Sequence, residues 1–173
     1  MITMRQVGAL ESVSVDFNEY VPLTITWGNA SRVLESPSYT ELQDESGYLE
    51  FKFHPATGIL IEVVLAAASR IQVEQVNLNP SILEDANLMP FLDSVNGMPE
   101  IVVPLVIKAY SDYLYVSFGP EPDQWVDSGP VLFGLVGEQS LTAICARWTG
   151  PERESVLSGH LGENVLSPRL RCC

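Results

Sequence analysis

Side chains able to do acid–base, nucleophilic or metal chemistry are few and scattered in this sequence. His54 and His160 are the two histidines and lie over a hundred residues apart. With no Cys-x-x-Cys and no His-Glu-x-x-His between them, they make no zinc pattern. Cys145 sits in a strand-like run and reads as a small buried hydrophobe, while Cys172 and Cys173 end the chain. No Gly-x-Ser-x-Gly elbow stands beside a histidine, so a Ser or Cys nucleophile is not expected. Glycine-rich phosphate loops between a strand and a long helix are absent as well.

Carboxylates are the exception. The 173 residues carry 22 Asp and Glu against 9 Lys and Arg, a formal net charge of −13. Glu41, Asp44 and Glu45 cluster in "ELQDE", without the Asp-x-Asp-x-Asp-Gly pattern of a calcium loop. A pair of carboxylates could hydrolyse a glycoside if two met in space, but so many acids leave any choice of pair arbitrary. Trp125 beside Asp127 in "EPDQWVDSG" would suit a sugar surface or, more simply, cover the end of a sandwich. The expectation is therefore no catalytic residue, no metal and no cofactor.

An acidic surface repels phosphate backbones and anionic lipid, so neither nucleic acid nor membrane is expected as a partner. It attracts a basic protein. Tyrosine beside carboxylate suits such an interface, the ring supplying apolar area and the charge steering the approach. Two stretches offer this. The acidic loop from Glu35 to Glu50 holds Tyr39 with Glu41, Asp44 and Glu45, and a second row comprises Tyr110, Tyr113 and Tyr115. Those three tyrosines either face a partner or pack beneath a neighbouring element.

The elements that position these residues follow from period-two alternation cut by Gly, Pro and Asp. Strands are expected at Ser12–Phe17, Leu23–Trp27, Arg32–Leu34, Tyr48–His54, Ile59–Ala67 and Ile71–Val76. Others are expected at Ile101–Tyr110, Tyr113–Phe118, Trp125–Val126, Val131–Val136 and Ser140–Trp148. Ser111-Asp112 can close a hairpin that opposes Ala109 to Leu114 and Ile107 to Val116, with Lys108, Tyr110, Tyr113 and Tyr115 on the other face. A Gly137-Glu138-Gln139 loop would oppose Leu135 to Leu141, Phe133 to Ala143 and Val131 to Cys145. Asn79 as N-cap, Pro80 after it and Gly97 as stop suggest one short helix, kinked at Pro90. Pro151 to Leu157 suggests another. The fold class is mainly β: one domain over 1–173, an antiparallel sandwich or half-open barrel with two short helices, 150–173 holding the second helix and a frayed tail.

One hairpin carries most of the remaining signal. In "YLEFKFHPATGILIEVVL" two registers compete. A four-residue loop, Pro55 to Gly58, opposes His54 to Ile59 but then sets Glu62 against Phe51. A three-residue loop with left-handed Gly58 opposes Phe53 to Ile61, Phe51 to Val63, Leu49 to Leu65 and Lys52 to Glu62, which the apolar face favours. His54 then points outward as a turn neighbour.

This strand–"HPATGIL"–strand element, about a tenth of the chain, in a small acidic protein with no evident signal peptide, resembles immunity proteins of bacterial polymorphic-toxin systems. The resemblance implies a non-enzymatic, cytoplasmic protein that binds one cognate toxin and blocks it, acidic residues standing in for substrate phosphates. It assigns no particular residue. Two alternatives remain open: a small-ligand or carbohydrate-processing β-protein using a carboxylate pair, and a structural or assembly subunit.

Overall fold

The computed structural model describes residues 2–8, 12–28, 36–83, 88–92, 101–137 and 139–161. Over these residues the protein is mainly β, two mixed sheets packed face to face with one helix and no closed barrel. The first five strands are β1 (Ile2–Gln6), β2 (Val13–Asp16), β3 (Leu23–Trp27), β4 (Ser38–Asp44) and β5 (Gly47–Phe53). The next five are β6 (Leu60–Ala68), β7 (Ile71–Val73), β8 (Ile82–Leu83), β9 (Leu88–Leu92) and β10 (Ile101–Val102). Then come β11 (Val106–Ala109), β12 (Tyr113–Ser117), β13 (Gln124–Ser128), β14 (Val131–Val136), β15 (Ser140–Arg147) and the helix α1 (Gly150–Leu161).

One sheet runs β10-β4-β5-β6-β3-β2, and the other runs β7-β11-β12-β15-β14-β13-β8, with β1 on β15 and β9 on β1. Most pairs are antiparallel, but β10 on β4, β7 on β11 and β8 on β13 are parallel. All three parallel partners are short strands at sheet edges. The two inner faces share one core. Trp27 of the first sheet stacks on Phe133 of the second at 5.9 Å, and Phe51 meets Phe118 edge-on at 5.3 Å.

Both registers considered for the β5–β6 hairpin are present, one after the other. The loop has four residues: His54 N–H donates to Ile59 O at 2.8 Å, Gly58 N–H donates to His54 O at 2.8 Å, and Phe53 opposes Leu60. A bulge then shifts the pairing by one, so that Lys52 faces Glu62, Phe51 faces Val63 and Leu49 faces Leu65. The energetic reason is plain. Without the bulge Glu62 would enter the core, at several kcal/mol, and Val63 and Leu65 would leave it, at roughly 1.5–3 kcal/mol each. A bulge sacrifices about one ladder hydrogen bond, worth about 1 kcal/mol.

The β14–β15 hairpin does the same. It begins as expected, with Leu135 opposite Leu141, and a bulge between Gly134 and Leu135 then sets Gly134 against Ala143 and Phe133 against Ile144. The expected pairs Phe133–Ala143 and Val131–Cys145 are thus corrected to Phe133–Ile144 and Val131–Ala146. Phe133 and Ile144 both belong to the shared core, whereas Ala143 and Cys145 turn to the outside of the sheet. The β11–β12 register is as expected, with Ala109 on Leu114 and Ile107 on Val116.

Other expectations need correction. The helix expected from Asn79 to Gly97 does not form over its described residues, which are extended, with strands at Ile82–Leu83 and Leu88–Leu92. Pro90 is tolerated in β9 because its missing N–H lies on the side away from β1. Leu92, two residues on, sends its N–H that way, to Gly58 O at 2.9 Å. The single strand expected from Ile101 to Tyr110 divides at Pro104, β10 joining one sheet and β11 the other. The acidic stretch expected as a loop contains β4 and a tight turn. The strand expected at Arg32–Leu34 lies outside the described residues. α1 is longer than Pro151 to Leu157, beginning on a Thr149 cap whose N–H and hydroxyl both meet Glu152 Oε2, at 2.6 and 2.7 Å.

Gly58 joins the hairpin corner to β9. Its φ is +72°, and a Cβ there would lie 2.8 Å from Leu92 O and 2.9 Å from Phe91 Cζ. Gly129 has a similar φ of +74° with open space around it. Gly129→Ala is expected to cost about 1 kcal/mol, and Gly58→Ala about 2–3 kcal/mol, because the backbone penalty is joined by displacement of β9. Urea unfolding of the two variants measures the difference.

Candidate functional site

Of the seven tyrosines and acids singled out from the sequence, five fall on opposite outer faces of the sandwich, and Asp44 and Glu45 lie at the end of β4 and in the turn after it. Tyr39 and Glu41 belong to β4, on the outside of the six-stranded sheet. Tyr110, Tyr113 and Tyr115 belong to the β11–β12 hairpin, on the outside of the other. No single flat partner can touch both groups.

On the six-stranded sheet, alternation puts Tyr39, Glu41 and Gln43 of β4 outward beside Tyr48, Glu50 and Lys52 of β5. Glu62 of β6 and Asp16 of β2 extend the same face. Four carboxylates thus share it with one lysine. Lys52 Nζ lies 3.2 Å from Glu50 Oε1 and also pairs with Glu62. Burial lowers the Lys52 pKa, but hydrogen bonds and attraction from Glu62 and Glu50 outweigh it, so the net shift is upward. Glu41 stands directly opposite Glu50 and has no cation within ion-pair distance among the described residues. A like-charge pair directly across two strands is unfavourable, by roughly 0.2–1 kcal/mol. The Glu41–Glu50 pairing is not evident from the sequence while residues 38–44 read as loop, because it needs β4 as a strand. The two-residue turn Glu45-Ser46, with Gly47 after it, is the signal that would have revealed the hairpin.

Asp44 and Glu45 are engaged inside the molecule. Asp44 Oδ1 accepts the Ser46 N–H at 2.7 Å and Oδ2 accepts the Leu105 N–H at 2.9 Å, tying the β4–β5 turn to the crossing between sheets. Glu45 is exposed and pairs with the Arg70 side chain.

The outer face of the second sheet is covered. Residues 74–81 form a strap between β7 and β8, the two opposite edges of that sheet. Six strand spacings separate those edges, about 29 Å over a flat sheet. Nine residue steps from Val73 to Ile82 reach at most about 32 Å, so the strap runs with little slack. Ser111 N–H donates to Val76 O at 3.1 Å, Leu78 N–H to Asp112 Oδ1 at 3.0 Å, and Trp125 N–H to Ser81 O at 3.0 Å. Leu78 packs on a second apolar cluster that includes Tyr113, Tyr115, Trp125, Leu132 and Cys145. Beside Leu132 the middle strands present the small residues Gly134, Ala143 and Cys145, which lets Tyr115 and Trp125 lean together, 6.1 Å between ring centres. Tyr113 and Tyr115 are therefore buried rather than free to dock a partner. The Tyr113 hydroxyl accepts from Arg147 Nη2 at 2.7 Å, and this contact raises the arginine's pKa.

Beside the strap a cleft of about 450 Å³ remains open. Leu78 to Ser81 make one wall and the turn carrying Glu121, Pro122 and Asp123 makes the other. Lys108, Tyr110, Tyr115 and Trp125 line its floor and end. Pro122 lies over Gly134, where a Cβ would come within 2.5 Å of its Cγ. Asp123 Oδ2 accepts the Gly137 N–H at 3.1 Å, which commits that carboxylate to the fold, whereas Glu121 is exposed and has no hydrogen-bond or ion-pair partner among the described residues. Burial raises the Tyr110 pKa, with Glu74, Cys145 and Glu121 adding to the rise. Burial likewise raises Tyr115, partly offset by a hydrogen bond from Ser117, with Cys145, Tyr110 and Glu121 pushing further up. Lys108, Glu121 and Asp123 were not legible as a group in the sequence, since only the parallel β8–β13 pairing brings the strap beside them.

The two histidines do not share a site. His54 Nδ1 accepts the Ala56 N–H at 3.2 Å and the Thr57 N–H at 3.4 Å, capping its own corner. His160 lies at the end of α1, its Nε2 shielded from solvent, and burial lowers its pKa. Burial pushes the Cys145 thiol well up, leaving it protonated and a poor nucleophile. Among the described residues, no three His, Cys, Asp or Glu side chains gather to hold a metal, and no helix is long and apolar enough to cross a membrane.

Asp44→Ala is expected to destabilise the fold by about 1–3 kcal/mol, because it leaves two part-buried N–H groups without an acceptor. Asp44→Asn keeps one acceptor oxygen and is expected to cost less. Thermal unfolding of both variants checks the order.

No protein-family model matches the chain, and no curated protein sequence matches it. The functional reading therefore rests on the geometry of the two outer faces.

Proposed function

We propose that this chain is a non-enzymatic binding protein of the immunity type, acting in the cytoplasm to hold and neutralise a basic toxin enzyme. The docking surface is the outer face of the six-stranded sheet. Tyr39 is exposed there beside Glu41, with Tyr48 and Glu50 on the adjoining strand.

The observation that carries this reading is the Glu41–Glu50 pair. The sheet keeps two carboxylates opposite each other while its lysine is taken up by Glu50 and Glu62. A lysine or arginine from a partner, placed between the two strands, would relieve that repulsion. The tyrosine rings flanking it supply apolar area at little entropic cost. The formal net charge of −13 adds long-range attraction, which acts chiefly on the association rate and weakens with salt. Tyr110 and Tyr115, facing the other way, take no part in this surface, and Asp44 supports it from within.

The test is affinity capture from lysate of the source cell, followed by kinetics with the purified partner. The expected partner is a basic enzyme, released by high salt and inhibited on binding. Glu41→Lys combined with Glu50→Lys is expected to slow association on the order of tenfold or more at low salt, with unfolding temperature preserved. Equal association by the double variant, or an acidic partner insensitive to salt, would rule this surface out.

A further inference from the structure

On the opposite side of the sandwich, the cleft beside the strap has a chemistry of its own, independent of the sheet face above. We infer that it is a binding site for an organic cation, an alkylammonium or guanidinium group held between the tyrosine rings and the carboxylate of Glu121.

Three observations converge. The first is charge. Glu121 and Asp123 stand on one wall, and Glu74 lies close enough to act on Tyr110, against Lys108 as the single cation of the lining. The second is aromatic. Tyr110 meets Tyr115 edge-on at 6.2 Å and Tyr115 leans on Trp125, so three aromatic rings line the cavity. The third is the place of Lys108. Its Nζ stands 6.0 Å from the centre of the Tyr115 ring, within reach of a cation–π contact. The chain's own lysine thus already lies where a ligand cation would be attracted, as a tethered occupant. A cavity of about 450 Å³ has room for a second amine or a guanidinium with a short carrier.

This arrangement disfavours the other ligand classes. An anion would meet Lys108 but also Glu121 and Asp123. A sugar would need a broad ring face to stack on, whereas Tyr115 and Trp125 are only 9% and 7% exposed and offer little free area. A compact cation needs only partial ring faces and a carboxylate. The shared chemistry could come from a free polyamine or from a Lys or Arg side chain of a protein.

The sign of two charge changes decides the matter. Calorimetric titration uses spermidine, a short arginine-bearing peptide amide and methyl glucoside as probes. The two cations are expected to bind with one-to-one stoichiometry, more weakly as salt rises, and the glucoside not at all. Lys108→Met removes the competing charge and is expected to tighten cation binding roughly two- to fivefold, while Glu121→Gln weakens it by a similar factor. Glu154→Gln, an exposed change on α1, serves as the control for diffuse charge. Tighter binding of spermidine assigns the site to a free amine, and tighter binding of the peptide assigns it to a protein side chain. Lys108→Gln repeats the first change with a polar side chain if Met disturbs the fold. Weaker or unchanged binding in both Lys108 variants overturns the inference. So does equal weakening by Glu154→Gln, equal affinity for the glucoside, or no binding of either cation.

Discussion

A hairpin's loop and its hydrophobic face each demand a register, and in two central hairpins of this chain the demands differ by one residue. The Pro-Ala-Thr-Gly corner opposes His54 to Ile59, while the core requires Phe51 opposite Val63. Gly137 and its neighbours oppose Leu135 to Leu141, while the core requires Phe133 opposite Ile144. One extra residue in β6 and one in β15 reconcile them. Everything else rests on that accommodation. It turns Glu62 to the wet side, brings Phe133 under Trp27, and puts the small residues Gly134, Ala143 and Cys145 beside Leu132 on the outside of the middle strands. The small outward residues in turn make room for the aromatic rings above them.

The two outer faces then follow different physics. On the six-stranded sheet the outward positions carry charge and hydroxyl, so water can cover them. On the other sheet Leu132, Trp125 and Tyr115 point outward, and water alone would leave a large apolar area exposed. The strap covers it, bonded at both edges and at the Ser111-Asp112 turn. Because the strap is narrow, it leaves a gap beside it whose floor is aromatic and whose rim is acidic. The cleft is thus a by-product of covering a wide sheet with one extended segment.

Much of this was legible in the residues, and the failures have definite causes. Alternation located β3, β5 and β6 to within a residue or so, because their buried and wet sides are well marked, and β12, β14 and β15 were found as apolar runs between turns, since both of their faces are covered. The β11–β12 register was readable since loop and face agree there. Bulges were not, because the inserted residues Ile61 and Thr142 are ordinary strand formers that leave no mark of their own in the sequence. The stretch from Asn79 to Gly97 misled because Asn-Pro followed by apolar residues is also a good helix start. Its extended course is imposed by sheet edges far away in sequence. Of the candidate residues, Tyr39 and Glu41 lie outward on β4, but no local pattern could reveal that Asp44 turns inward or that Tyr113 lies beneath a strap.

The strap also sets an order in time. Its two anchors, β7 and β8, precede their partners β11 and β13 in the chain, and each finds just one partner among the described strands. Until the later strands exist, residues 71–83 have nothing to bond to, and Val76, Ile82 and Leu83 wait in water. The contacts that close the second sheet are the long-range ones whose loop entropy is paid last. A growing chain would therefore complete its six-stranded sheet first, apart from its late-made edge β10. It would carry the girdle loose until β11 and β13 emerge, and the second sheet would close when its central strand, β15, joins β12 to β14.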